Sequence, residues 1–78
     1  MRLELKVPDI GDADRIELLR WKVRPGESFA EGEELCELLT DKAAFSLEAP
    51  RAGKLLEILV EDGQEVRVGQ LVAYAEVD

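Results

Sequence analysis

The sequence predicts an all-β domain made of two similar halves and closed as a sandwich or barrel. Short runs either alternate apolar and polar residues or are rich in β-branched ones, and turn signals separate them every several residues. The third observation is an internal repeat. Residues 16–39, IELLRWKVRPGESFAEGEELCELL, fall without a gap on residues 53–76, GKLLEILVEDGQEVRVGQLVAYAE. Leu18 meets Leu55, Leu19 meets Leu56, Val23 meets Val60, Gly26 meets Gly63 and Gly32 meets Gly69. Trp21 meets Ile58, Phe29 meets Val66, Leu35 meets Val72 and Cys36 meets Ala73. Two glycines that keep their spacing imply the same two turns used twice. One duplication is too short for a solenoid, so two halves closing on each other is the natural architecture.

Taken in order, LELKVP alternates and reads as the first strand. VPDIG (7–11) resembles APRAG (49–53), and five residues around DADRI then have no counterpart in the second half. DADRIELLRWK also carries helix signals: Asp14 fits an N-cap with Glu17 three residues on, and Ile16, Leu19 and Val23 have helical spacing. The run is short, however, and ends at RPG, while its copy starts at Gly53 and ends at EDG, so a strand is the better reading. CELLT enters the middle of the chain as a strand, DK turns, and AAFSLEA leaves as a strand. Thr40 and Asp41 favour such a turn because their side chains bond nearby backbone donors. KLLEILV is apolar in both phases and does not fix its own inward face. QEVRVGQ and LVAYAEV complete the strands.

Composition bounds the function. At 78 residues the chain fits one domain, 1–78. The formal charge of −8 argues against nucleic acid and against anionic membranes. Cys36 is the one cysteine and histidine is absent, which excludes an internal disulfide and disfavours a structural zinc site. Cys36 stands where the repeat has Ala73, so a small core residue is its expected role. No run has the length of a membrane helix, and Arg2, Glu4 and Lys6 interrupt any signal-peptide core. A cytosolic or organelle-matrix compartment is expected. Glu31, Glu33 and Glu34 read as a solvated loop. Nothing resembles an active site of the chain's own.

The repeat places Lys42 at the tip of a hairpin on the seam between the halves, where it is solvated and held by strands. An ordinary surface lysine has the same description. The ordered series VPDIG, W-V-PG, EG--L, TDKA, AP-AG and EDG--V-VG decides between them. It resembles the lipoyl domain of the acyltransferase (E2) component of 2-oxo acid dehydrogenase complexes, in the biotinyl/lipoyl attachment family, over essentially the whole chain. The resemblance implies a flattened β-barrel, a barrel-sandwich hybrid of two four-stranded sheets with quasi-two-fold symmetry, its lysine hairpin at one end and its termini at the other.

The resemblance further implies that Lys42 carries (R)-lipoate in amide linkage, with Asp41 and Ala43 as flanking recognition residues. It makes Gly11, Gly26, Gly32, Gly53, Gly63 and Gly69 structural turn positions. It makes Asp12, Ala13, Asp14 and Arg15 a surface loop beside the hairpin that helps recognition by the decarboxylase (E1). The implied partners are the E1 2-oxo acid decarboxylase, the E2 catalytic domain, the E3 dihydrolipoamide dehydrogenase, and a lipoate ligase or lipoyl transferase. The implied role is a carrier rather than an enzyme, in a bacterial cytoplasm or a mitochondrial matrix. The sequence departs from the pattern at Leu39, where many members have glutamate. Three other readings use the same hairpin, and one of them, the lipoyl carrier of the glycine cleavage system, is usually longer, with extra elements that 78 residues leave no room for. A biotin carrier normally has methionines on both sides of the lysine, whereas Met1 is the one methionine here. An unmodified barrel-sandwich module would serve assembly alone.

Overall fold

The computed structural model describes residues 1–10 and 15–77. Its strands are β1 (Arg2–Lys6), β2 (Ile16–Trp21), β3 (Ser28–Phe29), β4 (Glu34–Thr40), β5 (Ala44–Glu48), β6 (Gly53–Ile58), β7 (Glu65–Val66) and β8 (Leu71–Val77). They form two four-stranded antiparallel sheets, ordered β1-β8-β6-β3 and β5-β4-β2-β7. Each sheet keeps its own edges, so the expected flattened barrel is two facing sheets rather than one continuous ladder.

Exchanging the first four strands for the last four turns one strand order into the other. The duplication is therefore an intertwined pseudo-two-fold, in which each half contributes strands to both sheets. The backbone repeats in detail. Gly26 N–H donates to the Leu55 carbonyl at 2.8 Å, and Gly63 N–H to the Leu18 carbonyl at 2.7 Å. Gly26 and Gly63 have φ of 94° and 86°, and Gly32 and Gly69 have 83° and 84°. L-residues are costly at such angles, which is why these two turns hold glycine in both copies. The side chains that close the turns repeat as well. Glu27 accepts from Arg24 N–H at 2.6 Å and Glu33 from Ala30 N–H at 3.0 Å. In the second half, Gln64 accepts from Glu61 N–H at 2.6 Å and Gln70 from Arg67 N–H at 2.9 Å.

Gly53 differs from the turn role expected for it. It opens β6 without a positive φ, and a Cβ there would sit 2.3 Å from the Glu76 carbonyl oxygen. Its function is close approach of β6 to β8.

Both sheets turn one face into a shared core that includes Leu5, Val7, Ile16, Leu18, Leu35, Leu38, Leu55, Val66, Val72 and Ala75, with Cys36 fully buried among them. Burying one leucine of this kind stabilises by about 1.5–3 kcal/mol, and such residues carry a domain this small. The ambiguity of KLLEILV has a structural cause. Ladder pairing skips Leu56, between Leu55 and Glu57, as it skips Leu19 between Leu18 and Arg20. At these β-bulges Leu18 and Leu55 are buried and the two residues after each, Leu19 with Arg20 and Leu56 with Glu57, are both exposed, which breaks the alternation. No helix long and apolar enough to cross a membrane occurs among the described residues.

Consecutive strands mostly switch sheets. Among the described strands, β4–β5 is the one connection between neighbours of the same sheet. Its symmetry counterpart is β8 against β1, where the termini meet: Thr40 N–H to the Ala43 carbonyl (2.9 Å) is matched by Val77 N–H to the Met1 carbonyl (2.8 Å). β2 and β6 converge at their C-terminal ends. There Trp21 N–H donates to Asp62 at 3.0 Å and its indole N–H to the Val60 carbonyl at 2.7 Å. Their opposite ends, which carry the hairpin and the termini, therefore point away from each other along a molecule 34 Å long and 19 × 17 Å across.

Candidate functional site

The β4–β5 hairpin closes with the ladder pair Leu39–Ala44, and Thr40 at the end of β4 leads into a three-residue turn, Asp41 to Ala43. Among the described residues no side chain but hydrogen, in glycine, occupies a positive φ. The turn is thus not one of the mirror-image types that two-residue hairpins favour. Thr40 supplies the missing order. Its hydroxyl accepts from Lys42 N–H at 3.1 Å and from Ala43 N–H at 3.0 Å, and donates to the Ala43 carbonyl at 2.9 Å. One donor and two acceptor sites are all a hydroxyl has, and all are used. Asp41, Lys42 and Ala43 stand exposed on this fixed loop.

The other lysines stand elsewhere in the fold. Lys22 lies in an ion-pair group, 2.6 Å from Glu34 and 3.1 Å from Glu37. Those bonds, Glu34 first, hold its pKa above the ordinary lysine value. Lys6 is 3.7 Å from Glu4. Lys54 lies within β6, at the register position opposite Glu76. Lys42 alone is presented at a hairpin tip.

Of the loop expected to flank the hairpin, Asp12, Ala13 and Asp14 lie outside the described residues. Arg15 is described. It enters β2, whose Ile16 pairs with Thr40 and Glu17 with Leu39, and it pairs with Glu65 of β7 at 3.6 Å. Arg15, Glu17, Leu39, Thr40 and Asp41 line a groove of about 190 Å3 beside the hairpin. Glu17 was not singled out from the sequence; its place follows from the β2–β4 register, which no local signal reveals. Leu39 is 40% exposed in this groove.

Cys36 is a core residue, as expected. Burial, with Asp62 adding a smaller effect, pushes its thiol up to about 12, so it stays protonated and unreactive at neutral pH. Among the described residues no three His, Cys, Asp or Glu side chains gather as a metal site would need.

This geometry fits a covalently attached group better than a bound one. The hairpin offers an exposed lysine on a support of paired strands. An amide at Nζ would project an arm without disturbing the core.

Residues 3–74 match the family described as biotin-requiring enzymes, the biotin/lipoyl attachment family. The dihydrolipoyllysine-residue acetyltransferase component of the pyruvate dehydrogenase complex of Bacillus subtilis is 38% identical over 73 residues, which are 92% of this chain and 16% of that protein. The lipoamide acyltransferase component of the branched-chain alpha-keto acid dehydrogenase complex of Pseudomonas aeruginosa is 37% identical over 75 residues, 95% of this chain and 18% of that one. The chain thus spans about a sixth of the length of these relatives. The lipoyl domain of the 2-oxoglutarate dehydrogenase complex of Azotobacter vinelandii superposes with a TM-score of 0.78 over 95% of both chains, at 24% identity, and so shares the fold. With its two exchanged four-stranded sheets and its lysine hairpin, this chain belongs to the biotin/lipoyl attachment family.

Proposed function

We propose that this chain is a lipoyl carrier domain and that Lys42 is its attachment site. The observation that carries the reading is the Lys42 amine, exposed at the tip of a hairpin that the Thr40 hydroxyl fixes. The likeness to acyltransferase components supports lipoate as the group. Lipoate held on Lys42 would supply a redox-active disulfide for acyl transfer among the E1 2-oxo acid decarboxylase, the E2 catalytic domain with its coenzyme A, and the E3 dihydrolipoamide dehydrogenase. The chain's own part is mechanical. The hairpin anchors the arm, keeps its root in solvent and holds it near successive active sites, raising its local concentration there. Asp41 and Ala43 flank the lysine as recognition residues for the lipoate ligase or lipoyl transferase. Asp12, Ala13, Asp14 and Arg15 serve recognition by E1. The bacterial relatives support a cytoplasmic setting.

The family's description as biotin-requiring favours biotin as a second reading. Asp41 and Ala43, where a biotin carrier normally has methionines, set it behind lipoate. Coexpression with a lipoate ligase and lipoate, followed by intact mass, tests both. One lipoyl adduct is expected, lost in Lys42→Ala and kept in Lys22→Ala and Lys54→Ala. A biotinyl adduct in cells holding both ligases, or an adduct surviving in Lys42→Ala, would overturn the reading.

A further inference from the structure

We infer that the groove beside the hairpin is a seat for the arm on Lys42, with Leu39 as the positioning residue. The inference rests on the attachment reading above and adds a place where the arm lies between transfers.

The first argument is that the fold does not require Leu39 to be apolar. Leu39 points outward, in register with Glu17 on one side and Ala44 on the other. Its counterpart in the second half is Glu76, exposed and 3.3 Å from the Met1 amine. The same strand position therefore takes a carboxylate where no hairpin lysine stands beside it. Exposed large hydrophobic side chains scattered singly need no explanation. Leucine here departs from the glutamate that many members carry beside the lysine, so the apolar side chain is this chain's own and not a demand of the hairpin.

The second argument is reach. Leu39 and Lys42 are three residues apart, at most about 10 Å of extended chain. A lysine side chain extended by an eight-carbon acyl group is long enough to fold back across that distance. Lys42 is attached at the rim of the groove, through Asp41, which helps line it. A tethered group meets its seat at the high effective concentration of a short linker, so weak apolar contact suffices to populate the seat.

The third argument is chemical match. Amide formation removes the lysine charge and leaves an apolar chain ending in a dithiolane ring. The groove offers Leu39, the Thr40 methyl and the aliphatic stems of Arg15 and Glu17, whose charged ends can remain in water. The Arg15 guanidinium is already engaged, with Glu65 at 3.6 Å. Glu17 and Asp41 present carboxylates, which have little to gain from a neutral arm. The seat is therefore a resting place that a partner enzyme can empty at small cost.

The test compares methyl and amide NMR spectra of the unmodified and lipoylated domain, with loading confirmed by intact mass. Shifts at the Leu39 methyls and the Arg15 and Glu17 amides are expected, beyond those at residues 41–43. They should collapse in lipoylated Leu39→Glu. The dithiolane of that variant should be reduced by a soluble phosphine at least about twofold faster than in the parent, because the seated ring is partly shielded. Shifts confined to residues 41–43, with equal reduction rates, would overturn the seat. A second arm separates this result from the attachment reading. Lys42→Cys labelled with N-octylmaleimide carries a comparable chain, and buried Cys36 stays unlabelled. If enzymatic loading fails and the octyl arm still shifts Leu39 and Arg15, the seat stands and the lipoyl reading falls. If the octyl arm leaves them unmoved, the seat falls on its own.

Discussion

The Thr40 hydroxyl and the Ala43 backbone are bonded in both directions: the hydroxyl donates to the Ala43 carbonyl at 2.9 Å and accepts from the Ala43 N–H at 3.0 Å. A third bond, from Lys42 N–H at 3.1 Å, ties Lys42 to the same oxygen. One side chain thus orders a turn that has neither glycine nor proline to do so.

Thr40→Val keeps the shape of the side chain and removes all three bonds. Its expected stability cost is about 1–2 kcal/mol, since the loop is exposed and water replaces part of what is lost. The local effect should exceed the global one. Amide exchange at Lys42 and Ala43 should quicken more than in the strands, and lipoylation should slow. Unchanged exchange at these two amides would remove Thr40 from the account of the site.

Lys42→Arg should separate structure from function. The charge and exposure are kept, so thermal stability should change by about 0.5 kcal/mol or less. The guanidinium does not accept the acyl group, and intact mass should show no adduct. A large loss of stability would mean that Lys42 supports the hairpin, contrary to its place at the exposed tip.

Much of this was legible because the chain repeats itself. The pairs Gly26–Gly63 and Gly32–Gly69 marked two turns, and the structure gives all four glycines a positive φ. The seam between the copies marked the Lys42 hairpin. Long-range pairing was not legible. Nothing local in LELKVP says that β1 lies beside β8, and Gly53 reads as a turn glycine until Glu76 is placed against it. QEVRVGQ reads as a long strand, but pairing covers Glu65 and Val66, after which Arg67 and Gln70 bond each other in a turn. The groove at Leu39 arises from the β2–β4 register, so neither Glu17 nor Arg15 advertises it.

Acid should loosen the ion-pair group on the outer face of β2 and β4. Hydrogen bonding from Lys22, then from Arg20, holds Glu37 below the ordinary glutamate value of 4.5, despite partial desolvation acting the other way. A carboxylate held lower in the folded state contributes stability above its unfolded pKa and loses it as pH falls through the folded one. The contribution should therefore be complete above about 4.5 and disappear on further acidification. Carboxyl-carbon NMR titration should place Glu37 below the ordinary glutamate value, and Lys22→Ala should move it back up. A Glu37 midpoint indifferent to Lys22→Ala would mean that the pair does not persist in solution.

Two glycine substitutions should fail for different reasons and to different degrees. At Gly26 a Cβ meets nothing within 4 Å, so Gly26→Ala bears only the conformational cost of φ 94°. That cost is about 1–2 kcal/mol. At Gly53 the backbone angle is permissive, but a Cβ would lie 2.3 Å from the Glu76 carbonyl oxygen and 2.8 Å from Val77 Cγ1. The obstacle is backbone of the central strand β8, which pairs with β1 on its other side and cannot yield alone. Overpacking of this kind costs about 1–3 kcal/mol where neighbours can adjust, and Gly53→Ala should lie at or above the top of that range. Urea unfolding should rank the two, with Gly53→Ala the less stable. Amide exchange should quicken in Gly53→Ala at Val77, beside the termini, and leave the distant Lys42 hairpin protected wherever the variant folds. The reverse ranking would mean that β6 and β8 can separate there cheaply, and that glycine at 53 is not held by close packing.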